Sequence, residues 1–159
     1  MKPAKTQTTP ASQMLVCHAC GSINRVPVGR DLTQGTCGKC KKPIATEVPV
    51  EIDGAILNRL QTRDTGAFVV DIWAPWCGPC RMMAPAYAKA ASHFASDIRL
   101  FKLNSDANQA AAASLGLRGV PTLIAFARGK QIAHQAGAQS GEALTAWIKS
   151  LFTSKGIVT

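Results

Sequence analysis

The chain lacks any apolar run near the ~20 residues that a helix needs to cross a bilayer. Its opening, MKPAKTQTTPASQM, lacks the central apolar block of a secretory signal. A cytoplasmic protein with no membrane partner is therefore expected. Acidic residues are scarce, nine against 18 Lys and Arg, and the formal net charge is +9. Such a balance invites phosphate, yet the basic residues are scattered apart from the short run Lys39, Lys41 and Lys42. A solvated surface explains them, and nucleic acid is not the expected partner. No internal repeat exists beyond the cysteine units described below. From Leu15 to about Glu47 large apolar groups are also scarce: Leu15, Val16, Ile23, Val26, Val28, Leu32 and Ile44 are nearly the whole supply. A core that small does not hold a fold unless something staples it.

The 159 residues are 47% apolar, enough for one ordinary globular domain and a small accessory unit. The first 14 residues, rich in Thr, Lys, Pro and Ala, read as a flexible tail, residues 15–46 as the accessory module, and residues 47–159 as the main domain. In that domain VPVEI suits a short strand, and Asp53 suits the cap of a helix through Leu60. FVVDIWA, 68–74, is a near-continuous apolar run with β-branched residues, as in a strand buried on both faces. Met83, Tyr87, Ala90 and Phe94 recur at helical intervals, with Pro85 predicting a kink. IRLFKLN is a further strand, and Asp106 and Gly116 are placed to start and stop an alanine-rich helix. TLIAFA and QIAHQA flank a hairpin signal. A helix from Ser140 to about Phe152 would turn Leu144, Trp147, Ile148 and Leu151 inward. The sum is an α/β fold, a central mixed sheet of four or five strands with helices on both faces.

All six cysteines lie in CxxC units: CHAC at 17–20, CGKC at 37–40 and CGPC at 77–80. The first two units are separated by 16 residues, Gly21 to Thr36, a spacing that suits one four-cysteine zinc site. Cys17, Cys20, Cys37 and Cys40 can each give a thiolate to one tetrahedral structural ion, with Gly21, Gly35 and Gly38 easing the turns. Such an ion contributes ~10 kcal/mol or more of folding free energy, which answers the shortage of core. Unrelated thiols or redox pairs are the alternative, and His18 is read as a bystander. In a reducing compartment, cysteines at this density point to metal binding or redox catalysis instead of structural disulfides.

The third unit has another setting. Cys77 follows a buried strand and opens a helix, where unpaired backbone N–H groups stabilise a thiolate. Cys80 sits almost one turn further in, less exposed and close enough to bridge, and Pro79 fits a first turn that needs no N–H from it. One thiol can attack a foreign disulfide while the other resolves the mixed intermediate. A metal half-site is the alternative, with His93 and His134 as the remaining ligands. Asp71, on a strand among Val69, Val70, Ile72 and Trp73, reads as a buried carboxylate able to move a proton during exchange. Pairing with Lys102 for structure alone is the other reading.

From about residue 50 to 154, the stretches VDIWAPWCGPCRMMAP, KLNSD, RGVPTLIAF and QAGA resemble the thioredoxin family. With the preceding CxxC pair, the chain is similar to that family's zinc-containing bacterial members, the thioredoxin 2 group. The resemblance implies a thioredoxin fold preceded by a zinc ribbon, and a protein-disulfide reductase that carries electrons through a Cys77–Cys80 redox disulfide. It implies Cys77 as attacking thiol, Cys80 as resolving thiol, and Asp71 with Lys102 as the buried carboxylate and neighbouring lysine. Pro121 matches a cis proline facing the site, and Trp76, Gly78, Pro79, Val120 and Gly137 the surrounding docking surface, with Trp73 beneath. Implied partners are disulfide-containing protein substrates and an NADPH-dependent thioredoxin reductase, the chain acting as a monomer with one structural zinc and no bound organic cofactor. Pro75 departs from the pattern, since many thioredoxins carry an acidic or other residue there. An oxidant or isomerase of the same chemistry is an alternative, as is a zinc-ribbon binding module or redox sensor for which the larger domain is scaffold.

Overall fold

A computed structural model describes residues 11–158. Residues 1–10 of the expected tail lie outside the described residues. Strand β1 (Ser12–Val16) pairs antiparallel with β2 (Ile23–Pro27), Ser12 opposite Pro27 and Val16 opposite Ile23. Ser12, Gln13 and Met14 therefore belong to a strand and not to the tail. Their backbone is held by cross-strand hydrogen bonds, for which Ser-Gln-Met gives no alternating apolar pattern. Leu15, Cys17, Leu32, Cys37, Ile44 and Ala45 make the small core of this unit.

The larger domain runs β3 (Val50–Ile52), α1 (Gly54–Arg63), β4 (Phe68–Trp73), α2 (Gly78–Phe94), β5 (Arg99–Asn104), α3 (Gln109–Ser114), β6 (Thr122–Ala127), β7 (Lys130–Ala136) and α4 (Gly141–Ser154). Its five-stranded sheet has the order β3-β5-β4-β6-β7, with β3 and β4 parallel to β5 and the β6–β7 hairpin antiparallel. Side chains alternate across it. Val69, Leu100 and Leu123 face Met83, Tyr87, Leu144, Ile148 and Phe152 of α2 and α4. Phe68, Val70, Ile72 and Phe101 face Leu57 and Leu60 of α1 on the other side.

Local chemistry sets most of the boundaries. Asp53 caps α1 by accepting from the Ile56 N–H at 2.9 Å, and Ser140 caps α4 by accepting from Ala143 N–H at 3.2 Å. Met83, Tyr87, Ala90 and Phe94 are all buried along α2, which continues through Pro85. Arg128 and Gly129 make the two-residue hairpin turn with φ of 53° and 80°, the left-handed pair that such turns need. Asp106 does not cap α3, whose N-cap is Asn108 without a side-chain bond. The Asn104 side chain instead accepts from the N–H of Asp106 and of Ala107, so a turn intervenes and the helix starts later. Gly116, with φ of 69°, follows its end as the sequence suggests.

The small unit is seated on the larger one. Val16 enters the core with Leu57, Leu60, Phe68 and Phe101. Arg59 donates through Nε and Nη2 to the Gly21 carbonyl at 3.1 and 2.8 Å. Beneath β1, Asp64 and Arg99 form a buried ion pair, with Nη1 to Oδ2 at 2.6 Å and Nη2 to Oδ1 at 2.8 Å. The Asp64 carboxylate also accepts from the Val16 and Gly66 N–H groups, both at 2.8 Å. No local motif in the sequence marks this pair.

Candidate functional site

The sulfurs of Cys17, Cys20, Cys37 and Cys40 all lie within 4.8 Å of one another. Cys17 to Cys40 is 3.6 Å and Cys20 to Cys37 is 3.7 Å, close to the roughly 3.8 Å edge of a tetrahedron with metal–sulfur bonds of ~2.3 Å. The donor set and spacing therefore fit a tetrahedral metal held by thiolates. The two turns that present the sulfurs match atom for atom. Ala19 N–H points at Cys17 Sγ and Lys39 N–H at Cys37 Sγ, each at 3.4 Å. Cys17 N–H bonds the Ser22 carbonyl and Cys37 N–H the Lys42 carbonyl, each at 2.8 Å.

The glycines do not all serve as the spacing suggested. Gly21 takes a left-handed conformation after the first pair, with φ of 80°, but the matching residue after the second is Lys41, with φ of 70°. Gly35 and Gly38 have no such φ. The second turn is steadied by Asn24, whose Oδ1 accepts from Gly38 N–H at 2.9 Å. Burial pushes the Cys17 thiol up to about 12, whereas the backbone N–H of Cys40, followed by the Asn24 side chain, draws Cys37 down to about 6. Metal loading must therefore displace protons from the cluster. His18 points away, its Nε2 against the Pro43 carbonyl at 3.2 Å.

Cys77 is the N-cap of α2, and its sulfur accepts from the Cys80 N–H at 3.1 Å. Gly78 and Pro79 form the first helical positions, where the absent proline N–H costs no hydrogen bond. Cys77 and Cys80 are joined in a disulfide, with Cα atoms 5.3 Å apart. The expected contrast in exposure is absent, since Cys77 is 3% and Cys80 4% exposed. Both sulfurs lie under Trp73 and Val120, which pack against them with Ala74. Of the two residues offered as further ligands, His93 packs edge-on against Phe94 and His134 lies on β7.

Around the disulfide, Trp76 is exposed, and the Val120 carbonyl lies 3.7 Å from Cys77 Sγ. The Val120–Pro121 peptide is cis, and Gly137 N–H donates to the Pro121 carbonyl at 2.9 Å. Arg81 Nη1 donates to the Pro75 carbonyl at 2.6 Å, closing the loop before the helix.

Asp71 is buried on β4, and its Oδ1 has no protein hydrogen-bond partner. Burial pushes this carboxyl up to about 7, against a lowering pull from Lys102 and with a further push from Glu51. Lys102 stands opposite Asp71 in the β4–β5 register. No ion pair joins them, and the ammonium rests over the Trp73 ring at 4.7 Å from its centroid.

A closable dithiol at the head of a helix, on a five-stranded mixed sheet of this order, defines a thiol-disulfide oxidoreductase. The chain belongs to the thioredoxin family, whose model matches residues 53–150, and the model for the N-terminal part of thioredoxin 2 matches residues 16–42. Thioredoxin C-3 of Corynebacterium nephridii is 30% identical over 135 residues, 85% of this chain and 92% of that one. Thioredoxin of Haemophilus influenzae is 46% identical over 70 residues, 44% of this chain and 65% of that one. Among solved structures, a mutant thioredoxin from Halobacterium salinarum aligns with a TM-score of 0.60 at 35% identity, covering 67% of this chain and 93% of that one. The N-terminal unit is thus a zinc-ribbon fold ahead of a thioredoxin fold, and the chain is a disulfide oxidoreductase.

Proposed function

We propose that the protein is a reductase of protein disulfides that works through the CGPC dithiol. The observation that carries this is the Cys80 N–H directed at Cys77 Sγ at the start of α2, an arrangement that stabilises a thiolate on Cys77. Cys77 thiolate attacks one sulfur of a substrate disulfide, forming a mixed disulfide and expelling the first substrate thiolate. Cys80 then gives up its proton and attacks Cys77 Sγ, which releases the second substrate thiolate and leaves the Cys77–Cys80 disulfide. Two electrons pass to the substrate, and its two thiolates take up two protons from solvent and the site.

Asp71 is the group that receives the Cys80 proton, directly or through water, since its carboxyl is held near neutrality by burial. Lys102 supplies the opposing charge that keeps the ionised form reachable. Exposed Trp76, with Gly78, Pro79, Val120, cis Pro121 and Gly137, frames the surface on which a substrate segment lies. An NADPH-dependent thioredoxin reductase restores the dithiol, and a monomer suffices for this exchange.

The ribbon ion is zinc, held by Cys17, Cys20, Cys37 and Cys40. Bound by these four thiolates, the ion would supply a structural cross-link. Four cysteines reserved as thiols suit a reducing cytoplasm. The test is NADPH consumption by full-length protein with thioredoxin reductase and a disulfide-bonded protein. Turnover is expected from the parent and loss of it from Cys77→Ser, and turnover by Cys77→Ser at the parent rate contradicts the proposal.

A further inference from the structure

Three charged residues line up across the sheet on the face that α2 covers. Glu51 on β3 is in register with Lys102 on β5, and Lys102 is in register with Asp71 on β4. In an extended row of this kind the middle cation lies between two carboxylates and is free to pair with either. It pairs with neither. The Glu51 carboxylate is engaged with the Trp73 indole, whose Nε1–H donates to Oε1 at 3.2 Å and Oε2 at 3.1 Å. The Lys102 ammonium lies on the face of that same ring, 4.7 Å from its centroid. A cation on an indole face is attracted by the ring's electron density, and an indole whose N–H points into a carboxylate is more electron-rich still.

We propose that Glu51 is a positioning residue of the exchange site: gripping the Trp73 indole from the edge strand, it fixes the ring on which the Lys102 ammonium rests and so holds that cation off the Asp71 carboxyl. The arrangement matters because Trp73 also packs against the Cys77–Cys80 disulfide. One carboxylate, itself exposed and far from any sulfur in sequence, thereby orders both the ring under the dithiol and the charge beside the buried acid. The groups that bear on Asp71 are Lys102 from β5, Glu51 beyond it on β3, and Tyr87 of α2, while Cys77 and Cys80 are joined in the disulfide and carry no charge. Tyr87 spends its hydroxyl on the Val69 and Phe101 carbonyls, at 3.2 and 2.7 Å. Leu123, opposite Asp71 on β6, carries no charge. Lys102 is thus the cation whose position decides how readily Asp71 ionises.

This inference rests on the reading of Asp71 as the proton acceptor, and its test reads Asp71 directly, apart from turnover. The Asp71 carboxyl carbon is followed by NMR across pH in the oxidised protein and in Glu51→Leu, Glu51→Gln and Lys102→Met variants. Glu51 is exposed, so its replacement leaves the core intact. In Glu51→Leu the ring and the ammonium are released and Lys102 can approach Asp71, so the titration midpoint falls by about 1 pH unit. Glu51→Gln keeps an amide oxygen for the indole N–H and gives less than half of that fall. In the Lys102→Met background, Glu51→Leu gives less than half of it as well, because the cation that would move is gone. A Glu51→Leu midpoint that stays put or rises overturns the proposal, as does an equal fall with and without Lys102. Exchange by Asp71→Asn at the parent rate would instead remove the proton role of Asp71 while leaving these titrations to judge Glu51.

Discussion

Gly21 and Lys41 hold the same place in the two cysteine turns, each four residues after the first ligand of its pair, and both are left-handed, with φ of 80° and 70°. A side chain in that region costs roughly 1–2 kcal/mol, and glycine escapes it. Lys41→Gly is therefore expected to stabilise the ribbon by about 1 kcal/mol after the extra freedom of the unfolded glycine is counted. Gly21→Lys should destabilise it by a similar amount. Denaturant titrations of the metal-loaded protein check both, and a destabilising Lys41→Gly would contradict the matched geometry.

Asp64 makes the ribbon and the larger domain one structure. Its replacement by Ala strips Arg99 of a buried counter-charge and Val16 of an acceptor, a loss on the order of 3–5 kcal/mol. Thermal unfolding of Asp64→Ala should show a clear fall, together with weaker metal retention in a chelator competition. Metal retention equal to that of the parent would show that the ribbon does not depend on this seat.

Gly66→Ala tests the same seam by size instead of charge. An added Cβ would meet Leu15 Cδ2 at 2.5 Å and Arg99 Nη2 at 2.7 Å, and Leu15 is wholly buried. Overpacking of this kind costs about 1–3 kcal/mol, readable as a lower denaturation midpoint. An unchanged midpoint would mean that the seam is looser than described.

Asp71 gives a pH dependence of definite sign. Its carboxyl titrates at about 7 when folded against an ordinary value of 3.8, so between those values the folded protein keeps a proton that the unfolded chain has lost. Stability contributed by the neutral acid is full below pH 3.8 and is lost as pH rises through 7. Asp71→Asn removes this slope and should be more stable than the parent at pH 8, by up to about 4 kcal/mol. Parallel stability profiles for the two proteins would contradict the burial argument.

Both cysteine chemistries were legible because each is local. A tetrahedral clamp is written in two CxxC turns at a fixed separation, and a reactive dithiol in a strand, a CxxC and a helix in immediate succession. The same locality made the Asp53 and Ser140 caps and the hairpin readable. Asp64 with Arg99, and Glu51 with Trp73, meet only in the folded chain, 35 and 22 residues apart, and no local motif names the partners. The usable hint was an arginine among the apolar residues Ile98, Leu100 and Phe101, which asks for a buried partner. Asp106 failed as a cap because Asn104, two residues earlier, takes the N–H groups of Asp106 and Ala107 and holds that stretch in a turn, so the helix starts beyond it. Cys77 is not the more exposed thiol because Trp73 and Val120, which lie outside the CxxC in sequence, pack against it in the fold.

The central claim is that Cys77 attacks and Cys80 resolves. It is tested most directly by incubating Cys80→Ser and Cys77→Ser proteins with a disulfide-bonded protein and mapping the trapped adducts by mass spectrometry. The account predicts a stable mixed disulfide through Cys77 in Cys80→Ser and little adduct in Cys77→Ser. Abundant adducts through Cys80 in Cys77→Ser, with none through Cys77 in the other variant, would contradict it.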